Sequence, residues 1–160
     1  KIPSYKILKI WIEWLNNKKV SNYSARGSKK HSINSQKQFL KKKILLEKSY
    51  LFKINCDKEF VGVVELVNID FLLKNCEIRY LIGNTNIWNK GIATKAIKLA
   101  TQFCFKKLKL KLVIADTHED NIASQKVLRK NNFYLQGKIK KFFNNKKVSK
   151  NKLIFAKFKK

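Results

Sequence analysis

Methionine is absent from this 160-residue chain, and proline occurs once, as Pro3. A chain without an initiator is expected to be trimmed at its start or to be a fragment. With no internal repeat and no Pro-rich break, nothing marks a linker, and residues 1–160 are expected to form one domain. The cysteines are three (Cys56, Cys76, Cys104), an odd number with no C-x-x-C pair. That spacing excludes a disulfide framework and a zinc ribbon, and no metal is expected. All three lie in hydrophobic segments and read as reduced core thiols. No apolar run approaches the roughly 18 residues of a membrane span. The start also lacks the apolar stretch and small-residue cleavage site of a signal peptide. A cytoplasmic protein with no membrane partner is expected. Acidic residues are scarce: ten Asp and Glu stand against 37 Lys and Arg, a formal net charge of +27. No helix-turn-helix, zinc-finger or RNP-like signature accompanies the charge, and the lysines run through the whole chain with many Asn and Ile, as AT-rich codons produce. Specific nucleic-acid binding is therefore not expected, although the charge should attract anionic ligands.

What is present is a foldable pattern, with 44% apolar residues and eleven Phe. Ile7, Ile10, Trp11, Trp14 and Leu15 recur at helical spacing, predicting an amphipathic helix over Ile7–Asn17. A polar, mobile-looking stretch, Lys18–Lys30, follows and includes Arg26-Gly27-Ser28. Ser32 or Asn34 can cap a second helix reaching about Glu47, with Phe39, Ile44 and Leu45 inward. From Tyr50 the period changes to that of strands. Tyr50–Asn55 and Phe60–Val67 read as a hairpin turning at Cys56-Asp57-Lys58-Glu59, and Asn75–Gly83 as a third strand. Gly91–Leu108 is helical, with Ile92, Ala96, Leu99, Ala100 and Phe103 on one side. Lys111–Asp116 is a continuously apolar strand of the kind found in a sheet covered on both faces. Asn121–Lys130 is a helix capped by Asp120 or Asn121. Phe133–Phe143 and Val148–Phe158 form a long hairpin around Asn144-Asn145. The order ααβββαβαββ predicts an α/β protein: a mixed sheet with helices on both faces.

The chemistry concentrates in Ile87-Trp88-Asn89-Lys90-Gly91-Ile92-Ala93-Thr94, between a strand and the strongest helix. A glycine at that turn can take positive φ and approach a ligand closely. The freed N–H groups of the helix start can then bind phosphate, with Lys90 and Lys95 adding charge. The loop matches neither G-x-x-x-x-G-K-[ST] nor G-x-G-x-x-G. Downstream, an Asn-x-x-Ser stands at Asn121–Ser124, and its helix ends in Arg129-Lys130-Asn131-Asn132-Phe133.

Together EIRYLIGNTNIWNKGIATKAIKLATQFCF and KLVIADTHEDNIASQKVLRKNNFYLQG resemble the core of the GNAT superfamily of N-acetyltransferases. The resemblance runs from about Tyr50 to Lys160. It is nearest to the branch of ribosomal-protein N-terminal acetyltransferases and surface-polysaccharide acetyltransferases. It implies the GNAT fold, a mostly antiparallel sheet with one splayed parallel pair, here with the first strand missing. Acetyl-CoA is the implied co-substrate, itself an anion, as nucleotide sugars are. The backbone of Leu81, Ile82 and Gly83 should run beside its pantetheine arm. Asn89, Lys90, Gly91, Ile92, Ala93 and Thr94 should hold its pyrophosphate, with Trp88 in the same cofactor loop. Asn121 should hydrogen-bond the pantetheine arm. Ser124 sits where related enzymes place a hydroxyl that can protonate the departing thiolate.

Two departures from the pattern stand out. Asn89 replaces a frequent Gly, and Asn tolerates left-handed backbone. Leu128 occupies the position where many relatives carry a general-acid Tyr. Tyr134, close by, reads as a packed strand aromatic. A primary amine must also lose its proton before it attacks a thioester, and a strand-edge N–H near Ile82 can polarise the carbonyl. Glu77 is the first candidate base and Glu65 the second. His118 and Glu119 follow the apolar strand, and His118 reads as a loop histidine. Tyr50 and Arg79 could contact the acceptor instead. The implied function is acetylation of a primary amine on a small acceptor, an amino sugar or its nucleotide-linked form, by a monomer or homodimer. Acetylation of a protein N-terminus and a catalytically silent acyl-CoA-binding domain are the alternatives.

Overall fold

The helix predicted near the start forms as α1, Tyr5–Asn16, and buries Leu8, Trp11, Trp14 and Leu15. The structure, a computed structural model, describes residues 3–24, 29–45, 49–145 and 148–159. The polar stretch after α1 is not wholly irregular. Asn17 accepts from the Lys19 N–H and caps a one-turn helix, α2 (Lys18–Ser21), whose Val20 and Ser21 are buried. Arg26, Gly27 and Ser28 lie outside the described residues. Helix α3 (Ile33–Leu45) starts on Ser32, whose Oγ accepts from the Ser35 N–H at 3.2 Å. Phe39 packs inward beside buried Leu40, but Leu45 is 79% exposed, contrary to the expectation from spacing. The Ile44 side chain and Glu47 lie outside the described residues.

Strands β1 (Tyr50–Cys56) and β2 (Glu59–Asp70) form the expected hairpin, whose corner residues Asp57 and Lys58 take φ of 49° and 66°. That left-handed pair suits the twist of a tight two-strand turn. Strand β3 (Asn75–Ile82) follows, then a 3₁₀ turn at Thr85–Ile87 and helix α4 (Ile92–Lys106). Strand β4 (Leu112–His118), helix α5 (Ile122–Lys130) and the hairpin β5 (Tyr134–Asn145) and β6 (Val148–Phe158) complete the chain.

The six strands run β1-β2-β3-β4-β6-β5, antiparallel except for β3 and β4. Helices cover both faces of this mixed α/β sheet, as predicted. One layer, under α4 and α5, gathers Leu66, Ile78, Ile97, Val113, Leu128, Phe133 and Phe155. The other, under α1 and α3, gathers Leu8, Trp11, Trp14, Leu40 and Val63. Two orientations differ from the periodicity reading. Helix α4 buries Ile97, Ala100, Thr101 and Cys104, which turns Leu99 out to 58% exposure. Tyr134 opens β5 at 64% exposure, so it is not a packed aromatic. Strand β4 alternates buried and half-buried residues, because one face meets α4 and α5 while the other is only partly covered. Cys76 and Cys104 meet in the core with sulfurs 3.7 Å apart, while Cys56 is half-buried; all three are free thiols. The Cys104 contact and burial hold the Cys76 thiol far up, and therefore protonated.

Candidate active site

The site begins where the parallel pair comes apart. Strands β3 and β4 are in register at Asn75↔Leu112, Cys76↔Val113 and Glu77↔Ile114, whereas β3 stays paired with β2 as far as Ile82↔Gly62. The β3 edge from Ile78 to Ile82 thus faces a gap. The Gly83 N–H donates to the Val61 carbonyl at 2.9 Å. In an antiparallel ladder the hydrogen-bonded positions alternate, so Leu81 also turns its amide toward β2 while Tyr80 and Ile82 turn theirs to the gap. The Ile82 carbonyl accepts from Trp88 Nε1 at 3.0 Å, which leaves its N–H toward the opening. Of Leu81, Ile82 and Gly83, the middle residue presents its amide there. Gly83 does something else: a Cβ on it would stand 1.7 Å from the Trp14 ring, so its bareness lets α1 lie on the strand end.

Beyond Trp88 the loop is built for backbone donors. Asn89 takes φ of 64° and Gly91 φ of 77°, the left-handed conformation that Asn and Gly adopt at least cost. The asparagine therefore fills the place that a glycine often takes. Gly91 is the N-cap of α4, and the Lys95 N–H bonds its carbonyl at 3.0 Å. The N–H groups of Ile92, Ala93 and Thr94 precede that first helical bond and point out of the helix end. In front of Gly91 lies open space, with no atom within 4 Å of where a Cβ would sit. A nest of N–H groups at a positive helix terminus with room before it fits a phosphate group.

Asn131, which the sequence reading passed over, anchors this loop from behind. It is 4% exposed, and its Nδ2 donates to the Thr94 carbonyl at 3.1 Å and the Val127 carbonyl at 2.9 Å. Asn131→Ala leaves both carbonyls without that donor, and a loss of about 1–3 kcal/mol is expected. The check is a thermal melt, whose midpoint should fall because the α4 start loosens.

Across the gap, Asn121 caps α5, its Oδ1 accepting from the Ser124 N–H at 3.1 Å. Its amide nitrogen is the group left to meet a ligand. Ser124 points its Oγ at the Tyr80 hydroxyl, 2.8 Å away. Burial pushes the Tyr80 phenol up to about 12, against a smaller lowering by Ser124. Leu128 is fully buried in the core under α4 and α5, where a leucine belongs and no proton donor can act. Sequence reasoning missed Tyr80, although a signal was present. It alternates with Cys76, Ile78 and Ile82 on the inward face of β3, and a tyrosine there needs a partner for its hydroxyl.

The candidate bases are tied to cations. Glu77 is held by Arg79 at 2.6 and 3.0 Å and by Asn68 Nδ2 at 3.1 Å. Asn68 reaches it from a β2 bulge with φ of 51°. Glu65, half-buried, lies 3.6 Å from Lys43. Asp116 pairs with Lys152, Asp120 with Lys150 and Glu119 with Lys138. Arg79 is thus committed to Glu77, and Tyr50 packs on Phe52 and Phe103 under α4. His118 is not a loop histidine but the last residue of β4. Its ring stacks on Phe143 at 3.6 Å between centroids and meets Tyr23 at 5.5 Å. Burial lowers its pKa, opposed by Asp120 and assisted by Lys150, so the neutral imidazole is favoured. Tyr23, His118, Phe143 and the Lys150–Asp120 pair form an aromatic and charged wall at the carboxyl end of β4.

Known proteins share this fold. Residues 7–134 match the family model for the acetyltransferase (GNAT) domain. Over 88 residues the chain is 33% identical to a spermidine N(1)-acetyltransferase of Escherichia coli K12, covering 55% of this chain and 47% of that protein. The chain thus spans about half the length of that curated relative. Among solved structures, a spermidine N-acetyltransferase from Vibrio cholerae in complex with CoA and spermine superposes with a TM-score of 0.85 at 17% identity, covering 99% of this chain and 93% of that one. A ribosomal L7/L12 α-N-protein acetyltransferase, RimL, in complex with CoA gives 0.85 at 19% identity, covering 99% and 92%.

Proposed function

Because the chain belongs to the acetyltransferase (GNAT) domain family, we propose that it transfers an acetyl group from acetyl-CoA to a primary amine of a small acceptor. The observation that carries this is the continuity of two backbone surfaces, the free β3 edge ending at Ile82 and the N–H nest of Asn89–Thr94. A pantetheine arm is a chain of amides that needs a strand edge, and the pyrophosphate after it needs unpaired donors. Ile82, flanked by Leu81 and Gly83, meets the arm with its backbone, the loop from Trp88 to Thr94 holds the phosphates, and the Asn121 amide nitrogen meets the arm from across the gap. When bound, acetyl-CoA supplies the activated acetyl thioester.

The chain's own part is to bind, to orient and to move two protons. One is taken from the ammonium before attack, and a second leaves nitrogen as the amide forms and ends on the departing sulfur. The Ile82 N–H faces the gap and stabilises charge on the acetyl oxygen. Ser124 faces the departing sulfur. A free alkyl ammonium has a pKa near 10.4, so the amine must be stripped of a proton. Glu77 and Glu65 were the sequence candidates, and each is held by a cation. Accepting a proton would cost Glu77 its charge-assisted pairing with Arg79 and at least one of its three hydrogen bonds. Among the described residues the His118 ring has no hydrogen bond to lose, although burial disfavours its charged form, and we take it as the base.

The wall around His118 supports one class of acceptor. With Asp116, Glu119 and Asp120 each neutralised by a lysine, a polyamine finds no spare carboxylate there among the described residues. Stacked rings on a chain of net charge +27 suit a ring-bearing, anionic molecule, which favours an amino sugar linked to a nucleotide. Thiol release from acetyl-CoA tests the reading, using amino sugars, UDP-linked amino sugars, spermidine and peptide N-termini as acceptors. Turnover is expected on a nucleotide-linked amino sugar and should fall at least tenfold in Ser124→Ala. Turnover confined to spermidine or a peptide sinks the sugar acceptor, and CoA binding with no turnover on any acceptor sinks the enzyme.

A further inference from the structure

Ser124 has one hydroxyl proton and two neighbours competing for it, the sulfur it should face and the Tyr80 oxygen 2.8 Å away. If Ser124 donates to Tyr80, its proton points into the protein and the sulfur meets a lone pair. If Tyr80 donates, the Ser124 proton is free to point at the sulfur. We propose that Tyr80 is the positioning residue of this reaction, donating its hydroxyl proton to Ser124 Oγ so that the Ser124 O–H is held toward the departing thiolate. The inference rests on the acetyltransferase reading above.

Three observations support that direction. The Tyr80 phenol stays protonated through the working range, since burial raises it to about 12, and it therefore always has a proton to give. A phenol is a stronger donor and a weaker acceptor than an aliphatic alcohol, so the pair favours phenol to serine. The rest of the Tyr80 surroundings offer few rivals: the Ser124 carbonyl stands 3.4 Å from the hydroxyl, at the long end for an O–H donor. The hydroxyl also cannot drift. Tyr80 is fixed on β3 opposite Val64, and Ser124 is fixed by the Asn121 cap. Two rigid elements on opposite sides of the gap thus meet through one hydrogen bond. The Tyr80 proton is not consumed; it aligns its neighbour, and negative charge growing on sulfur is met by the Ser124 O–H.

The test is a double-mutant cycle with Tyr80→Phe, which keeps the ring, and Ser124→Ala. Alone, Tyr80→Phe is expected to lower kcat by about three- to tenfold, the worth of one aligned hydrogen bond. The KM for acetyl-CoA and the melting temperature should change little. In the Ser124→Ala background the same change should cost less than twofold, since there is no hydroxyl left to align. Ser124→Thr, which retains the hydroxyl, should restore the full sensitivity to Tyr80→Phe. Equal losses in the wild-type and Ser124→Ala backgrounds would show a merely structural tyrosine and overturn the proposal, as would an unchanged kcat in Tyr80→Phe. A wild-type chain that releases no thiol with any acceptor overturns the acetyltransferase reading and this role with it. Wild-type turnover without the cycle's coupling overturns this role alone.

Discussion

His118→Gln lowers kcat/KM by about two to four orders of magnitude, the usual worth of a positioned general base, and removes the acidic limb of the pH profile. The expectation follows from the surroundings of the ring. Phe143 stacks on it, Tyr23 lies across it, and Asp116, Asp120 and Lys150 supply the nearby charges. Burial disfavours the imidazolium more than Asp120 favours it, so the pKa lies below the ordinary histidine value. In the wild type the acidic limb of kcat/KM should therefore fall below about pH 6.5. Stability moves with the same sign. Below the unfolded value the unfolded chain takes up the proton more readily than the folded one, so stability present at neutral pH is lost as pH falls. His118→Gln should flatten both dependences. Rates and melts between pH 5 and 9 provide the check, and an acidic limb that survives the substitution would remove His118 from the proton path.

The second large effect is structural in origin and catalytic in consequence. Gly83→Ala would set a Cβ 1.7 Å from Trp14 Cδ2 and 2.2 Å from two further ring atoms. The strand cannot retreat, because the Gly83 N–H is bonded to Val61 and β3 is laddered to β2 up to Ile82. The indole cannot swing away either, being buried with its ring 4.7 Å from Phe60. Helix α1 must therefore lift from the sheet, opening the layer of Leu8, Trp11, Leu40 and Val63. Overpacking of this kind costs about 1–3 kcal/mol or more, which for a domain of this size lowers the melting temperature by roughly 2–4 °C per kcal/mol. The KM for acetyl-CoA should rise with it, since the displaced residue ends the strand edge. Gly137→Ala, where an added Cβ meets nothing within 4 Å, should change stability by less than about 0.5 kcal/mol. Equal melts for the two variants would mean that Trp14 does not hold Gly83 as described.

Much of this architecture was legible from local pattern. The period of Trp11, Trp14 and Leu15 identified α1, and the apolar alternation after Tyr50 identified the hairpin. The backbone form of the Asn89–Thr94 segment was legible because a left-handed residue at a helix start leaves donors unpaired wherever it occurs. These features depend on residues within a few positions of one another. Leu45 and Leu99 show the boundary of such reasoning. A helix has room for more apolar residues than one contact face needs, and the partner surface chooses which are covered. The site obeys the same limit more strongly. Glu77 and Glu65 lie on the predicted strands, yet their availability depends on Arg79, Asn68 and Lys43. Tyr80 and Ser124 are 44 positions apart, and His118 gains its ring partners from Tyr23 and Phe143, far away on both sides. The sequence by itself determined most of the elements, the family and the left-handed loop before α4, because those are written in short-range spacing. Only the tertiary structure decided which titratable groups are free and which hydroxyls meet. Proton chemistry depends on the few ångströms around each group, and distant segments fill that space.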